Sequence, residues 1–180
     1  MATEFFVLTA VGPDRPGLMN AISDYVFTRG GNVHASRAAT LGGEFAVVML
    51  VSVDEASVAV LEDQIGELSR AELSCAIRRT SPPRSPTAAG GQVYALIVDA
   101  MDHPGIVQAI THDLASMGVN IESLETQVDN APHTGTAVFH LRARLTLPAE
   151  LKPSQCRQKL TLLANRLNFD FALAEEGPAA

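Results

Sequence analysis

The chain repeats itself, and this internal repeat constrains the fold more than any other feature of the sequence. Residues 10–18 read AVGPDRPGL and residues 98–106 read VDAMDHPGI, at an offset of 88 residues. Three further pairs hold the same offset: Gly30 with Gly118, Asn32 with Asn120, and Val33 with Ile121. A register that persists over two dozen residues indicates two copies of one structural unit.

A segment rich in proline, serine and glycine separates the two copies. It spans residues 81–91 and reads SPPRSPTAAGG, a composition typical of a linker. We therefore expect a first domain at 1–80, a second at 92–176, and a frayed tail at 177–180.

Hydrophobic periodicity predicts the same order of elements in each copy: strand, helix, strand, strand, helix, strand. We expect strands at 5–11, from 33, at 45–53 and 73–79, and then at 94–101, from 121, at 137–145 and 169–174. The helical faces are Leu18, Ile22, Tyr25 and Val26, then Val58, Leu61, Ile65 and Leu68, then Val107, Ile110, Leu114 and Met117, and finally Cys156, Leu160, Leu163 and Leu167.

Glycines mark the turns between these elements. Gly30 and Gly118 are predicted to end the first helix of each copy as left-handed caps. Gly42 and Gly43 predict a turn between the second and third strands, and a longer loop at 129–135 is expected in the second copy.

The repeated order predicts an α+β fold of two ferredoxin-like βαββαβ modules. Each module would have an antiparallel sheet with both helices on one face. An exposed sheet edge and a bare second face favour pairing with a like module. The modules could pair within one chain or across a homodimer.

The repeated Asp-x-Pro-Gly segment joins the first strand of each copy to its first helix. Proline would open the helix at Pro16 and Pro104, and glycine would let a ligand approach the backbone. Helix N-termini expose free N–H groups that suit a carboxylate. Asp14 and Asp102 could equally be helix caps in a plain turn, and both interpretations stay open.

These residues resemble the ACT domain family. The resemblance rests on Gly12-Pro13-Asp14-Arg15-Pro16-Gly17 followed by Gly30-Gly31-Asn32-Val33, and on the matching segments of the second half, where Ala100 replaces the leading glycine. It implies ligand-binding positions at Gly12, Asp14, Pro16, Gly17, Leu18, Asn32 and Val33, and at Asp102, His103, Pro104, Gly105, Ile106, Asn120 and Ile121. Asn32 and Asn120, or backbone carbonyls beside them, would accept from the ligand's ammonium group.

Two ACT units with nothing else attached resemble, more narrowly, the glycine cleavage system transcriptional repressor group. This resemblance implies an amino-acid sensor, with glycine the favoured ligand. We expect the amino acid to dock at the seam between the modules, near 14–18 or 102–106. It would bind a transcription activator and would not contact DNA. The alternative is a regulatory ACT subunit that binds a metabolic enzyme in trans, as acetohydroxyacid synthase small subunits do.

Charge and motif content favour a regulator over an enzyme. The net charge is −7, and no segment concentrates the basic side chains that bind nucleic acid. The chain offers no nucleophile motif, no phosphate-binding loop and no metal-ligand spacing, so no catalytic residue, cofactor or metal is expected. The two cysteines, Cys75 and Cys156, are expected to be reduced core thiols. No signal peptide or membrane span is evident at the sequence level, and we expect a cytoplasmic protein.

Overall fold

The structure, a computed structural model, describes residues 2–82, 91–130 and 135–176. The chain divides into two compact units, residues 1–84 and 85–180. Most of the predicted linker and all of the predicted tail lie outside the described residues.

The first unit contains four strands and two helices around one sheet. Its elements are β1 (Thr3–Pro13), α1 (Leu18–Thr28), β2 (Asn32–Leu41), β3 (Glu44–Asp54), α2 (Val58–Asp63) and β4 (Ser74–Thr80). The strand order is β2-β3-β1-β4, and every neighbouring pair is antiparallel.

The second unit repeats this topology. Its elements are β5 (Gln92–Met101), α3 (Ile106–Ser116), β6 (Asn120–Asn130), β7 (Ala137–Leu147), α4 (Pro153–Leu167) and β8 (Phe169–Glu175). The strand order is β6-β7-β5-β8, again antiparallel throughout. The predicted ferredoxin-like βαββαβ fold is confirmed in both units.

Each core lies between one face of a sheet and its two helices. Alternate residues of β1, namely Phe6, Leu8 and Ala10, are fully buried. The alternation predicted for the third strand of the second unit is confirmed, since Phe139, Leu141, Ala143 and Leu145 are all buried. Burying the leucine and phenylalanine side chains among them stabilises each unit by roughly 1.5–3 kcal/mol per residue.

The buried faces of α1 and α3 agree with the 88-residue repeat more closely than the two predicted faces did. All four residues predicted for α1 are buried. In α3 the prediction was wrong by one residue, because Val107 is 37% exposed and Ile106 is buried. The helix begins directly after Gly105, so Ile106 takes the place that Leu18 takes in α1.

The second helix of the first unit is broken, although a single regular helix was predicted. A short 3₁₀ turn (Glu55–Ser57) precedes α2, and a second 3₁₀ segment (Ile65–Ala71) follows it. β-branched Val58 and Val60 and the flexible Gly66 weaken the α-helical preference here. The predicted side chains Val58, Leu61 and Leu68 are nevertheless buried, and Ile65 packs against the same core.

Both first helices end in the predicted left-handed glycine cap. Gly30 and Gly118 each have φ of 71°. In α1 the N–H of Gly30 donates to the carbonyl of Phe27, and that of Gly31 donates to Val26. Gly118 and Val119 repeat the pattern on α3, so both ends are Schellman motifs.

A turn or loop was predicted between the second and third strands of each unit. Gly42 and Gly43 both have positive φ and form the predicted turn between β2 and β3. The loop predicted at 129–135 is shorter than expected at its start, because β6 continues to Asn130, and residues 131–134 lie outside the described part.

Cys75 and Cys156 are free, and burial raises the pKa of both thiols. Within the described ranges no helix is long and apolar enough to span a bilayer.

Gly12 is required by packing within the fold. A Cβ at Gly12 would lie 2.4 Å from the carbonyl oxygen of Glu72 and 3.2 Å from Cδ2 of Leu73. The second unit has Ala100 at this position, and it is buried without difficulty. The first unit therefore has glycine and not alanine at this position because the backbone of Glu72 lies close to it.

Gly12→Ala should lower the free energy of unfolding by about 2 kcal/mol, because backbone must move to admit the methyl group. Gly66→Ala is the matched control, since a Cβ there meets nothing within 4 Å and φ is not positive. Urea unfolding monitored by circular dichroism measures both. Equal stabilities for the two variants would contradict this account of Gly12.

Candidate functional site

Each Asp-x-Pro-Gly corner ends in a glycine with the same backbone conformation. Gly17 and Gly105 both have φ of 96° and ψ of −5°, and each is the N-cap residue of its helix. A Cβ at either position would meet nothing within 4 Å. The positive φ therefore favours glycine here, while the space around its α-carbon stays open.

The aspartates of the corners are not helix caps, so the capping role expected for Asp14 and Asp102 is wrong. Neither helix has a side-chain cap, and the prolines precede the glycine N-cap instead of opening the helix. The backbone N–H of Asp14 donates to Gly43 at 2.8 Å, and that of Asp102 donates to Ala137 at 3.0 Å. The corners are thus tied to the neighbouring strands through the main chain.

The first turn of α1 carries the amides available at the corner. The first intrahelical bond runs from the N–H of Ala21 to the carbonyl of Gly17 at 2.9 Å. Helix geometry leaves the N–H groups of Leu18, Met19 and Asn20 without an intrahelical acceptor. The Leu18 side chain is buried in the core, so a ligand would meet the main chain of this residue.

The predicted asparagines lie at the opposite end of their sheets from the corners. Asn32 pairs with Ser52, which pairs with Phe5 near the start of β1, whereas Gly12 pairs with Phe45 at its end. Seven residues of strand correspond to about 23 Å. Asn120 is related to the second corner in the same way, because it pairs with Thr146, which pairs with Val93 near the start of β5. Within one unit, the corner and the asparagine cannot hold the same small ligand.

The other predicted positions are mostly exposed. Pro16, Pro104, Asn32 and Asn120 are exposed, Val33 is 38% exposed, and Ile121 packs partly against the second core. Nδ1 of His103 lies 3.0 Å from the carbonyl oxygen of Pro104. The described residues contain no group of three or more His, Cys, Asp or Glu side chains arranged to hold a metal ion.

A groove of about 460 Å³ runs from the first corner along α1. One wall is α1 and the other is the 3₁₀ segment Ile65–Ala71. The lining includes Arg15, Gly17, Leu18, Ala21, Asp24, Tyr25, Thr28, Arg29, Glu67 and Leu68. Sequence reasoning found only the corner end of this groove.

Arg29 forms the far end of the groove. Its side chain is 10% exposed, and its guanidinium carbon lies 4.0 Å from the centre of the Tyr25 ring. Nη2 donates to Oε2 of Glu67 at 2.5 Å and to Oε1 of Gln64 at 2.8 Å. Nη1 donates to the Tyr25 carbonyl and to Oγ1 of Thr28, both at 3.1 Å. Arg29 thereby joins α1 to the 3₁₀ segment.

Tyr25 lies beneath this cation and is itself buried. Its hydroxyl donates to the carbonyl oxygen of Leu61. Burial raises the pKa of Tyr25, the neighbouring Arg29 charge opposes the shift, and Glu67 adds to it. The phenol is therefore neutral at ordinary pH and acts as a hydrogen-bond donor.

The second unit fills the corresponding place differently. The repeat puts Met117 at the position of Arg29 and Asp113 at that of Tyr25. Lys159 of α4 donates to Oγ of Ser116 and lies 3.9 Å from Asp113. A long regular α4 thus supplies the interhelical link that Arg29 supplies in the first unit.

Comparison with known proteins identifies relatives over nearly the whole chain. The family model of the ACT domain matches residues 4–76, in the first unit. The glycine cleavage system transcriptional repressor of Escherichia coli (strain K12) is 32% identical over 167 residues, which cover 91% of this chain and 86% of that protein. The protein of the same name from Shigella flexneri matches to the same extent.

Solved structures show the same likeness. A crystal structure of a protein from Galdieria sulphuraria has a TM-score of 0.80 and 31% identity, covering 98% of this chain and all of that one. A crystal structure provisionally assigned to a glycine cleavage system transcriptional repressor has a TM-score of 0.73 and 25% identity, covering 98% of this chain and 99% of that one.

Tyr25 and Tyr94 should ionise only above their ordinary pKa of 10.0, because burial raises both values. The pKa of each tyrosine is then higher in the folded than in the unfolded protein. The contribution of the two tyrosines to the free energy of unfolding is therefore fully present below pH 10, and it is lost as the pH rises through the folded pKa. The chain has two tyrosines and no tryptophan, which makes phenolate absorbance at about 295 nm specific. Titration of protein unfolded in guanidinium is the control. Ionisation of the folded protein below that control would contradict the prediction.

Proposed function

This chain belongs to the ACT domain family, within the group of the glycine cleavage system transcriptional repressor, and from that premise we propose that it is an amino-acid-sensing regulator of transcription. The observation that carries the proposal is the match over 91% of the chain to a protein named as a transcriptional repressor. The duplicated corner with open helix amides supplies the chemistry for an effector site.

The proposed effector is a small amino acid, with glycine favoured. Its carboxylate would accept hydrogen bonds from the first-turn amides of α1 or α3, where the helix dipole also favours negative charge. A Cβ built at Gly17 or Gly105 meets nothing within 4 Å, so a ligand atom can approach the same space. Asn32 and Asn120 remain proposed contacts, but for a ligand other than the one at the corner of the same module.

Regulation would proceed through a protein partner and not through DNA. The net charge of −7 disfavours the phosphate contacts that dominate DNA affinity. We propose a transcription activator as the partner, a cytoplasmic location, and no catalytic activity. Co-purification of the chain with a metabolic enzyme, and not with a transcription activator, would favour the trans-acting regulatory subunit instead.

Gly17→Asn and Gly105→Asn test the corners, because asparagine tolerates positive φ while its side chain projects over the helix amides. At the occupied corner we expect glycine affinity to fall at least tenfold, roughly the loss of one charge-assisted hydrogen bond. Isothermal titration with glycine and the other standard amino acids measures it.

Gly42→Asn is the matched control, since φ is 60° there, a Cβ also meets nothing within 4 Å, and the corner's Asp14 N–H donates to Gly43 instead. It should leave affinity unchanged. If the native chain gives no heat and no thermal shift with any amino acid, the sensing proposal is wrong. If all three variants bind alike, the corners are not the site.

A further inference from the structure

The guanidinium of Arg29 is only partly satisfied by the protein. Within the described part of the chain its Nε is the buried side-chain nitrogen or oxygen atom that has no hydrogen-bond partner. Leaving a buried, charged donor unpaired is costly, and such an atom calls for an explanation. The side chain lines the groove along α1, so the explanation can be a ligand.

The unpaired atom belongs to the side of the guanidinium that binds carboxylates most specifically. Nε and Nη2 point in parallel and can donate together to the two oxygens of one carboxylate. At present Nη2 donates to one oxygen of Glu67 and to the amide of Gln64, while Nε donates to neither. The Glu67 side chain is 47% exposed and can return to water at small cost.

The groove beside Arg29 offers both polar and apolar contacts to the rest of a ligand. Asp24 and the released Glu67 supply carboxylates near the Arg29 end. Ala21 and Leu68 line the groove toward the corner and supply its apolar surface. The carboxylates can bind an ammonium group, the Arg29 guanidinium can bind a carboxylate, and the apolar residues can contact a hydrocarbon side chain. These are the three parts of an aliphatic amino acid.

We propose that this groove is a second ligand site, which binds an α-amino acid with an aliphatic side chain. Its carboxylate takes the Nε and Nη2 donors of Arg29 and displaces Glu67. Its ammonium group lies against Asp24 and Glu67, and its side chain covers Leu68 and Ala21. The site goes beyond the proposed function, because the two corners bind through main-chain amides and this site binds through a side chain present in one module.

The second module lacks the groups that this site needs. Met117 stands at the position of Arg29, and His112 at that of Asp24. Lys159 instead reaches Ser116 and Asp113 across the two helices. One such site per chain is therefore expected.

Ligand binding at this site would loosen the tie between α1 and the 3₁₀ segment Ile65–Ala71. That tie consists of the Arg29 bonds to Gln64 and Glu67. When the ligand carboxylate replaces Glu67, the segment keeps its apolar contact through buried Leu68 but loses its ion pair. Effector binding would thus alter the surface of the first module beside the groove.

Titration with leucine, followed by calorimetry and by NMR of the arginine Nε–Hε groups, tests the proposal. We expect one leucine per chain, with a shift of the Arg29 Nε–Hε signal, which is identified by its absence in Arg29→Met. Arg29→Met and Arg29→Lys should each weaken leucine binding at least tenfold, because lysine keeps the charge but has no fork. 4-Methylpentanoate and isoamylamine, which lack the ammonium and the carboxylate respectively, should each bind more weakly than leucine.

Two controls separate this site from the corners and from general damage. Lys159→Met removes the corresponding link of the second module and should leave leucine binding unchanged. Gly105→Asn changes the corner of the second module, outside the lining of the groove, and should weaken glycine binding, if that corner is occupied, without changing the Arg29 shift. Circular dichroism and cooperative urea unfolding establish that each variant folds, and Arg29→Lys alone suffices if Arg29→Met does not.

The proposal is overturned if leucine leaves every arginine Nε–Hε signal in place, or if Arg29→Lys binds leucine as the native chain does. Loss of leucine binding in a corner variant with full retention in Arg29→Met would also overturn it, yet would leave the sensing function intact. If leucine binds as expected but glycine does not bind, the proposal for the groove is supported and the proposal that the corners bind glycine is wrong.

Discussion

A glycine at positive φ joins the first strand to the first helix in each module, and the arrangement of the rest follows from it. With φ of 96° at Gly17 and Gly105, the chain reverses from the end of the strand into a helix that runs back over the sheet. That reversal puts Leu18 and Ile106 into the two cores. It also leaves the helix amides facing open space, so the same conformation that folds the module creates its anion-binding potential.

The repeat made most of the fold predictable, because a shared register fixes the order of elements twice. Strands such as β7 alternate regularly, and their buried faces could be read directly. The broken second helix of the first module could not be predicted in the same way. Val58, Leu61 and Leu68 keep helical spacing whether the backbone between them is α or 3₁₀, and local conformation depends on how residues 64–71 pack.

The candidate sites were less predictable, because residue spacing along the chain does not report distance across a sheet. Asn32 follows the helix and was expected beside the corner, yet the antiparallel register of β1, β3 and β2 places it at the other end. Gly12 was expected as a ligand position, and the approach of Glu72, sixty residues later, gives it a packing role as well. Both findings involve contacts between elements that no local pattern encodes.

The positions at which the two modules differ are informative, because the repeat identifies only the residues that the modules share. Shared residues such as Gly30 and Gly118 serve the fold that both modules have in common. Arg29 departs from the repeat, and it departs together with the break in the helix that it contacts through Gln64 and Glu67. A regular helix like α4 brings Lys159 across to α3 in the second module. In the first module the 3₁₀ segment and α1 line a groove instead, and the incompletely paired Arg29 lies at its end.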